Sequence, residues 1–97
     1  MAKLEDDALR EAMRDLPGWE HVGDAIRKGF RFRGFRGAIA FVNRVADLAN
    51  AARHHPDLEV HYDRVIVSLS THDEGGVTDR DVALARRIDG AVEPDDD

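Results

Sequence analysis

Apolar residues along this chain follow two periods, one helical and one alternating, and the switches between them outline a fold. Leu9, Met13 and Leu16, with Ala8 and Ala12, recur at helical spacing between Asp6 and Leu16. Acidic residues fill the first turn, where the helix dipole favours them, and Pro17-Gly18 ends the element. Trp19 to Val22 reads as a short strand and Gly23-Asp24 as a turn. Ile26, Phe30 and Phe32 then alternate with Arg27, Gly29, Arg31 and Arg33, so the next strand has one apolar and one basic side. Lys28 is the exception to that alternation.

The longest helical pattern runs from Gly34 to Arg53. Phe41, Val42, Val45, Leu48, Ala49 and Ala52 share one side with Ala38, and Arg36, Asn43, Asp47 and Asn50 line the other. At about 100° per residue the apolar arc covers roughly half the circumference, wider than the ~100° stripe that one packing surface needs. A helix over 35–52 is therefore expected to pack on the sheet and also on another subunit, with Phe41, Val45 and Leu48 as contacts. A central helix covered by its own domain is the alternative.

Pro56 stops this helix, because it disfavours helical geometry at the residue before it. Leu58, Val60 and Tyr62 alternate with Glu59, His61 and Asp63. After a turn at Asp63-Arg64, the β-branched run Val65 to Thr71 predicts a second strand paired to the first as a hairpin. Asp73-Glu74-Gly75-Gly76 reads as a loop. Thr78 opens a last helix, with Val82, Ala85 and Ile88 on its apolar side, that ends near Gly90. The order α-β-β-α-β-β-α predicts an α+β fold, a single four-stranded antiparallel sheet with three helices on one face.

Composition narrows the function classes. Ninety-seven residues make one domain, expected over residues 1–92, and the acid-rich end 93–97 reads as a solvated, disordered tail. A domain this small buries a modest core, which favours oligomerisation. The net charge of −6 argues against a nucleic-acid or anionic-membrane binder. With no cysteine, disulfides and thiolate chemistry are excluded, which fits a reducing cytoplasm. No stretch approaches the roughly 18 apolar residues of a membrane span.

Within this frame the chemistry gathers in histidines. His54-His55-Pro56 follows the long helix, and His72 follows Ser70-Thr71. Imidazole exchanges protons near neutrality, so such a cluster points to proton transfer or to a metal. Continuing the helical period would place His54 on the polar stripe with Asn43, Asp47 and Asn50. A helix C-terminus also favours an imidazolium, so a dipole partner without function is the plainer alternative. The spacing of His54, His55 and His72 matches no zinc motif, and no metal is expected. Thr78-Asp79-Arg80-Asp81 resembles a capping box, with Asp where Glu or Gln is usual, and capping is the expected main task of Asp81. His21 and His61 fit no constellation and are expected on exposed strand positions.

Taken together, His54-His55-Pro56, Tyr62, Leu69-Ser70-Thr71-His72 and Asp81 resemble the pattern of the pterin-4a-carbinolamine dehydratase family. Leu16-Pro17-Gly18-Trp19, Phe30-Arg31-Phe32 and the order of elements agree with it, so the resemblance covers Leu4 to Ile88. It implies loss of water from a 4a-hydroxytetrahydropterin to give the quinonoid dihydropterin, without metal or organic cofactor, in support of an aromatic amino-acid hydroxylase. It further implies His54 and His72 as the acid–base pair and His55 as a residue that orients the pterin. Ser70 and Thr71 would line the ring pocket, with Asn50 also at the substrate. Asn50 is the departure: the family usually has Glu there, and an amide can orient a substrate but cannot act as a base. The family also implies a homo-dimer or tetramer, and some members serve as dimerisation cofactors of a transcription factor. A pterin-binding module of low activity is the remaining alternative.

Overall fold

The computed structural model describes residues 2–93; residues 94–97, most of the expected acidic tail, lie outside them. The chain forms α1 (Asp6–Met13), β1 (Glu20–Val22), β2 (Ala25–Arg31), α2 (Phe35–Ala52), β3 (Asp57–His61), β4 (Arg64–Leu69) and α3 (Asp79–Asp89), with a 3₁₀ turn at His72–Glu74. The four strands pair antiparallel in the order β1-β2-β4-β3, as the alternation of apolar residues predicted. Ile26, Phe30, Val65, Val67 and Leu69 of the sheet meet Phe41, Val45, Val82, Ala85 and Ile88 of the helices in one core. The Phe41 ring lies 4.7 Å from that of Phe30 and 5.1 Å from that of Phe32, a tilted aromatic cluster that ties α2 to β2 and the residue beyond it.

Lys28 breaks the strand pattern for a reason visible in the packing. It sits on the helix side of β2, but its long stem carries the ammonium to Asp89 (2.8 Å) and to the carbonyl of Pro17 (3.0 Å). Asp89 also accepts from the indole N–H of Trp19 at 3.0 Å. A charged head on an apolar stem thus closes the core edge between β2 and the end of α3. On the opposite side of the sheet, Arg27 pairs with Glu59 at 2.9 Å. The hydrogen bond from His61 and then the Arg27 partner hold the Glu59 carboxyl below the usual carboxylate range. His61 and His21 are both exposed, as expected.

Three sequence expectations need correction. Phe41 and Val45 are 0% exposed and belong to the core of their own domain, so neither is free to touch a second subunit. The β3–β4 turn falls at Tyr62-Asp63, since His61 faces Arg64 in register. Tyr62 adopts a positive φ of 51° there and is 68% exposed instead of continuing the strand. At ~3.3 Å per residue it lies roughly 20 Å along the hairpin from Pro56, away from the histidines. Finally, α1 is shorter than its pattern: the helix ends at Met13, and Leu16 reaches the core from the following turn.

Candidate active site

The site forms where the C-terminal end of α2, the outer end of the β3–β4 hairpin and the N-terminal end of α3 converge. Asp57 pairs with Ser68, so the residues before β3 lie beside those after β4. That register alone brings His54-His55 next to Ser70-Thr71-His72. An open depression of about 300 Å³ is lined by His54, His55, Ser70, Thr71 and His72. Arg53, Asp73 and Arg80 complete its wall. All three predicted histidines therefore share one concavity.

His54 reaches it by a route the helical period did not suggest. Arg53 takes the left-handed conformation (φ 53°, ψ 39°), and its N–H bonds the carbonyls of Ala49 and Asn50. The His54 N–H bonds the carbonyl of Ala49 at 3.2 Å, completing a Schellman-type end to α2. This reversal takes His54 off the polar stripe and turns it inward, where it is 8% exposed. His54 is a buried residue, and the expectation of a surface position beside Asn43 and Asp47 is overturned.

Its partner there is Asp81. Asp81 is 0% exposed, and one carboxylate oxygen hydrogen-bonds Nε2 of His54. The other oxygen accepts from the Thr71 hydroxyl at 2.8 Å and from the Thr78 N–H at 2.9 Å. The Thr78 bond belongs to the capping box expected at α3, and the Thr78 hydroxyl accepts from the Arg80 N–H at 3.2 Å. Asp81 therefore caps its helix and also holds a histidine. The second task could not be read from the local sequence, because the two residues are 27 positions apart.

The proton inventory of this network fixes a tautomer. Thr71 spends its hydrogen on Asp81, so in the 2.8 Å contact between the two hydroxyls Thr78 is the donor. A carboxylate oxygen accepts, so in the neutral form of His54 the hydrogen sits on Nε2 and Nδ1 is left for chemistry. No buried polar side-chain atom among the described residues lacks a partner. A fully satisfied buried network of this kind is rigid.

The other expected residues divide. His72 opens the 3₁₀ turn instead of ending a strand, and it is exposed, as is His55. Gly75 closes that turn at φ 74°, a value glycine adopts without strain. Thr71 is buried and its hydroxyl is committed to Asp81, so it positions the dyad; it does not offer that donor to a ligand. Ser70 lines the depression, but its hydroxyl donates to the Asp24 carbonyl at 2.6 Å. Only its acceptor capacity remains for a ligand. Among the described residues, no three of His, Asp and Glu are grouped to hold a metal ion.

Asn50 contacts His55, its side-chain oxygen standing 3.1 Å from Nε2, while His54 is already engaged by Asp81. Any tuning by residue 50 therefore falls on His55, not on His54. An anion beside an imidazole favours its protonated form. Asn50→Glu is accordingly expected to keep His55 protonated to higher pH than in the parent chain, a displacement readable by NMR titration of the ring. The His54 resonances should move little; a larger displacement at His54 than at His55 would contradict this geometry.

Comparison with known proteins places the chain in a family. Residues 2–91 match the family model described as pterin 4 alpha carbinolamine dehydratase. A relative from Thermomicrobium roseum bearing that family name is 51% identical over 88 residues, 91% of this chain and 95% of its own. One from Sulfurisphaera tokodaii is 45% identical, over 92% of this chain and 96% of its own. A crystal structure from Brucella melitensis, titled a transcriptional coactivator/pterin dehydratase, superposes with a TM-score of 0.90 at 36% identity. That match covers 94% of this chain and 99% of the other. A pterin dehydratase-like protein titled a RuBisCO assembly factor in the alpha-carboxysome shares the fold, with a TM-score of 0.68 at 22% identity over 77% of this chain and 89% of its own. With nearly its whole length matched by the family model and by these relatives, the chain belongs to the pterin-4a-carbinolamine dehydratase family.

Proposed function

We propose that this chain is a hydro-lyase that removes water from a 4a-hydroxytetrahydropterin, giving the quinonoid dihydropterin and so supporting tetrahydrobiopterin recycling in the cytoplasm. The observation that carries the reading is the grouping of His54, His55 and His72 around one depression, with His54 locked by a buried carboxylate. The reaction breaks the C4a–O bond. A proton must reach the leaving hydroxyl, and the N5–H proton must leave as the N5 lone pair forms the C4a=N5 double bond. In this reading His72 delivers the first proton, and Nδ1 of His54 takes the second. The Asp81 carboxylate on Nε2 stabilises the imidazolium so formed, the arrangement by which a buried acid supports a histidine base. His55, steadied by Asn50, orients the flat ring. No helix among the described residues is long and apolar enough to cross a membrane. The test is direct: the purified protein should accelerate dehydration of a synthetic 4a-hydroxytetrahydropterin, followed by its ultraviolet absorbance. A rate equal to the buffer blank would overturn the assignment.

A homo-dimer or tetramer through α2 belongs to the same proposal, with a revised contact. Phe35, Ile39, Val42 and Ala46 form an apolar stripe beside the buried side of the helix. Phe35 is 52% exposed, Ala46 is exposed, and Ile39 and Val42 are half-buried. Sedimentation should give an oligomer at micromolar concentration, and Val42→Glu should dissociate it. A stable monomer of the parent chain would refute the stripe. The same stripe is what a dimerisation cofactor would use. That second reading predicts oligomers with foreign partners and negligible dehydration.

A further inference from the structure

The wall of the depression holds two arginines as well as three histidines. Arg80 donates through its guanidinium to the backbone carbonyl of Arg53 at 2.8 Å, which ties the start of α3 to the end of α2. Arg53 itself stands at φ 53°, where a side chain crowds the backbone and glycine or asparagine is the common choice. Glycine would make the same reversal without strain, so the turn does not account for an arginine here. Neither guanidinium has a carboxylate within ion-pairing distance among the described residues. Asp73 is the one other acid in the wall, apart from which Asp81 lies buried behind His54. Asn50, at the base of His55, adds no negative charge. The rim thus concentrates cationic donors in a chain whose net charge is −6.

A neutral pterin gives these arginines little to do. Its ring edge is an uncharged pattern of amide and amino groups, which serine, asparagine and histidine can match. Guanidinium pairs instead suit oxyanions, which they bind with charge-assisted, often bidentate, hydrogen bonds. Arg53 is exposed in the same wall as the histidines, so a ring held among them has a guanidinium within the depression. We propose that, beyond the neutral biopterin, this site takes and prefers pterins that carry an anionic group, phosphate ester or carboxylate, on the side chain, and that Arg53 and Arg80 recognise that group. The inference rests on the dehydratase reading for its pterin but not on turnover.

The experiment is calorimetric binding of three unreactive dihydropterins that share one ring, with a neutral dihydroxypropyl, a phosphorylated or a carboxylated side chain. One or both anionic ligands should bind about tenfold more tightly than the neutral one, as one charge-assisted contact would give. The advantage should shrink in high salt, since the rim is open to solvent. The ratio of anionic to neutral affinity should fall toward one in Arg53→Gly and in Arg80→Gln. Arg53→Gly should raise Tm at the same time, because glycine relieves the left-handed conformation, so lost preference cannot be ascribed to lost folding. Equal affinity for all three ligands, or a ratio unchanged in both variants, overturns the proposal. If the anionic preference holds while the 4a-hydroxy forms are not turned over, the dehydratase reading fails and the anion site stands.

Discussion

Replacing His54 and His72 together should abolish all but a small remainder of the dehydration rate. Each single alanine variant should lose on the order of 10²–10⁴-fold if its imidazole alone supplies one proton transfer. The losses should not multiply, because two groups that serve one bond cleavage act as a unit. The two positions differ in what else they disturb. His72 is exposed in a short turn, so His72→Ala removes a proton carrier and little packing. His54→Ala leaves the Asp81 carboxylate buried without one of its donors, which lowers stability as well. His54→Gln separates the effects, since its amide N–H can still reach toward Asp81 while it cannot exchange protons. Rates measured alongside urea unfolding should show His54→Gln nearly as inactive as His54→Ala but more stable. Near-parental turnover in the double variant would refute the acid–base assignment outright, whatever the stability data show.

The sequence disclosed most where its signals were local. Gly34 and Pro56 bracket α2, the β-branched run from Val65 drew β4, and Thr78 announced α3; each rests on a residue's own backbone preference, which context seldom reverses. The family pattern supplied the histidines, and the chain folds them onto one depression. What escaped were features decided at a distance. Lys28 broke the alternation because Asp89, 61 residues on, receives its ammonium. The wide apolar arc of α2 suggested a second interface at Phe41 and Val45, yet those two side chains lie wholly in the domain's own core. The outward position expected of His54 carries the helical period two residues past the end of α2 at Ala52. Only the left-handed Arg53 turns His54 inward, and arginine is not a residue that announces such a turn. Asp81 and Thr71 looked like a cap and a pocket hydroxyl, and their shared task emerged only when β4 and α3 met. A capping box occupies one oxygen of its carboxylate, and a buried acid has two to satisfy, so the second oxygen of Asp81 requires a further partner.

That second oxygen leads to the largest expected effect on stability. In Asp81→Ala, three buried donors lose their acceptor together: Nε2–H of His54, the Thr71 hydroxyl and the Thr78 N–H. An unsatisfied buried donor costs about 1–3 kcal/mol, and breaking a buried, fully bonded charge typically costs about 3–5 kcal/mol. Thr71 can turn its hydroxyl toward Thr78, so the lower end, about 3 kcal/mol, is expected. A domain of this size is stable by about 5–15 kcal/mol and shifts by about 4–8 °C per kcal/mol, so Tm should fall by at least about 12 °C. Asp81→Asn should behave differently. Its oxygen can still accept from Thr71 and Thr78, but its amide nitrogen then points at His54 as a donor. His54 must answer with a bare Nε2, which moves its hydrogen to Nδ1, the nitrogen assigned to accept the N5 proton. The fold should survive with a loss of about 1 kcal/mol, while the dehydration rate drops by about 10²-fold or more, the signature of a histidine held in the wrong tautomer. NMR of the imidazole nitrogens would show the exchange of hydrogen between Nε2 and Nδ1. An Asp81→Asn protein that keeps both parental turnover and the Nε2–H tautomer would show that Asp81 is a helix cap and nothing more.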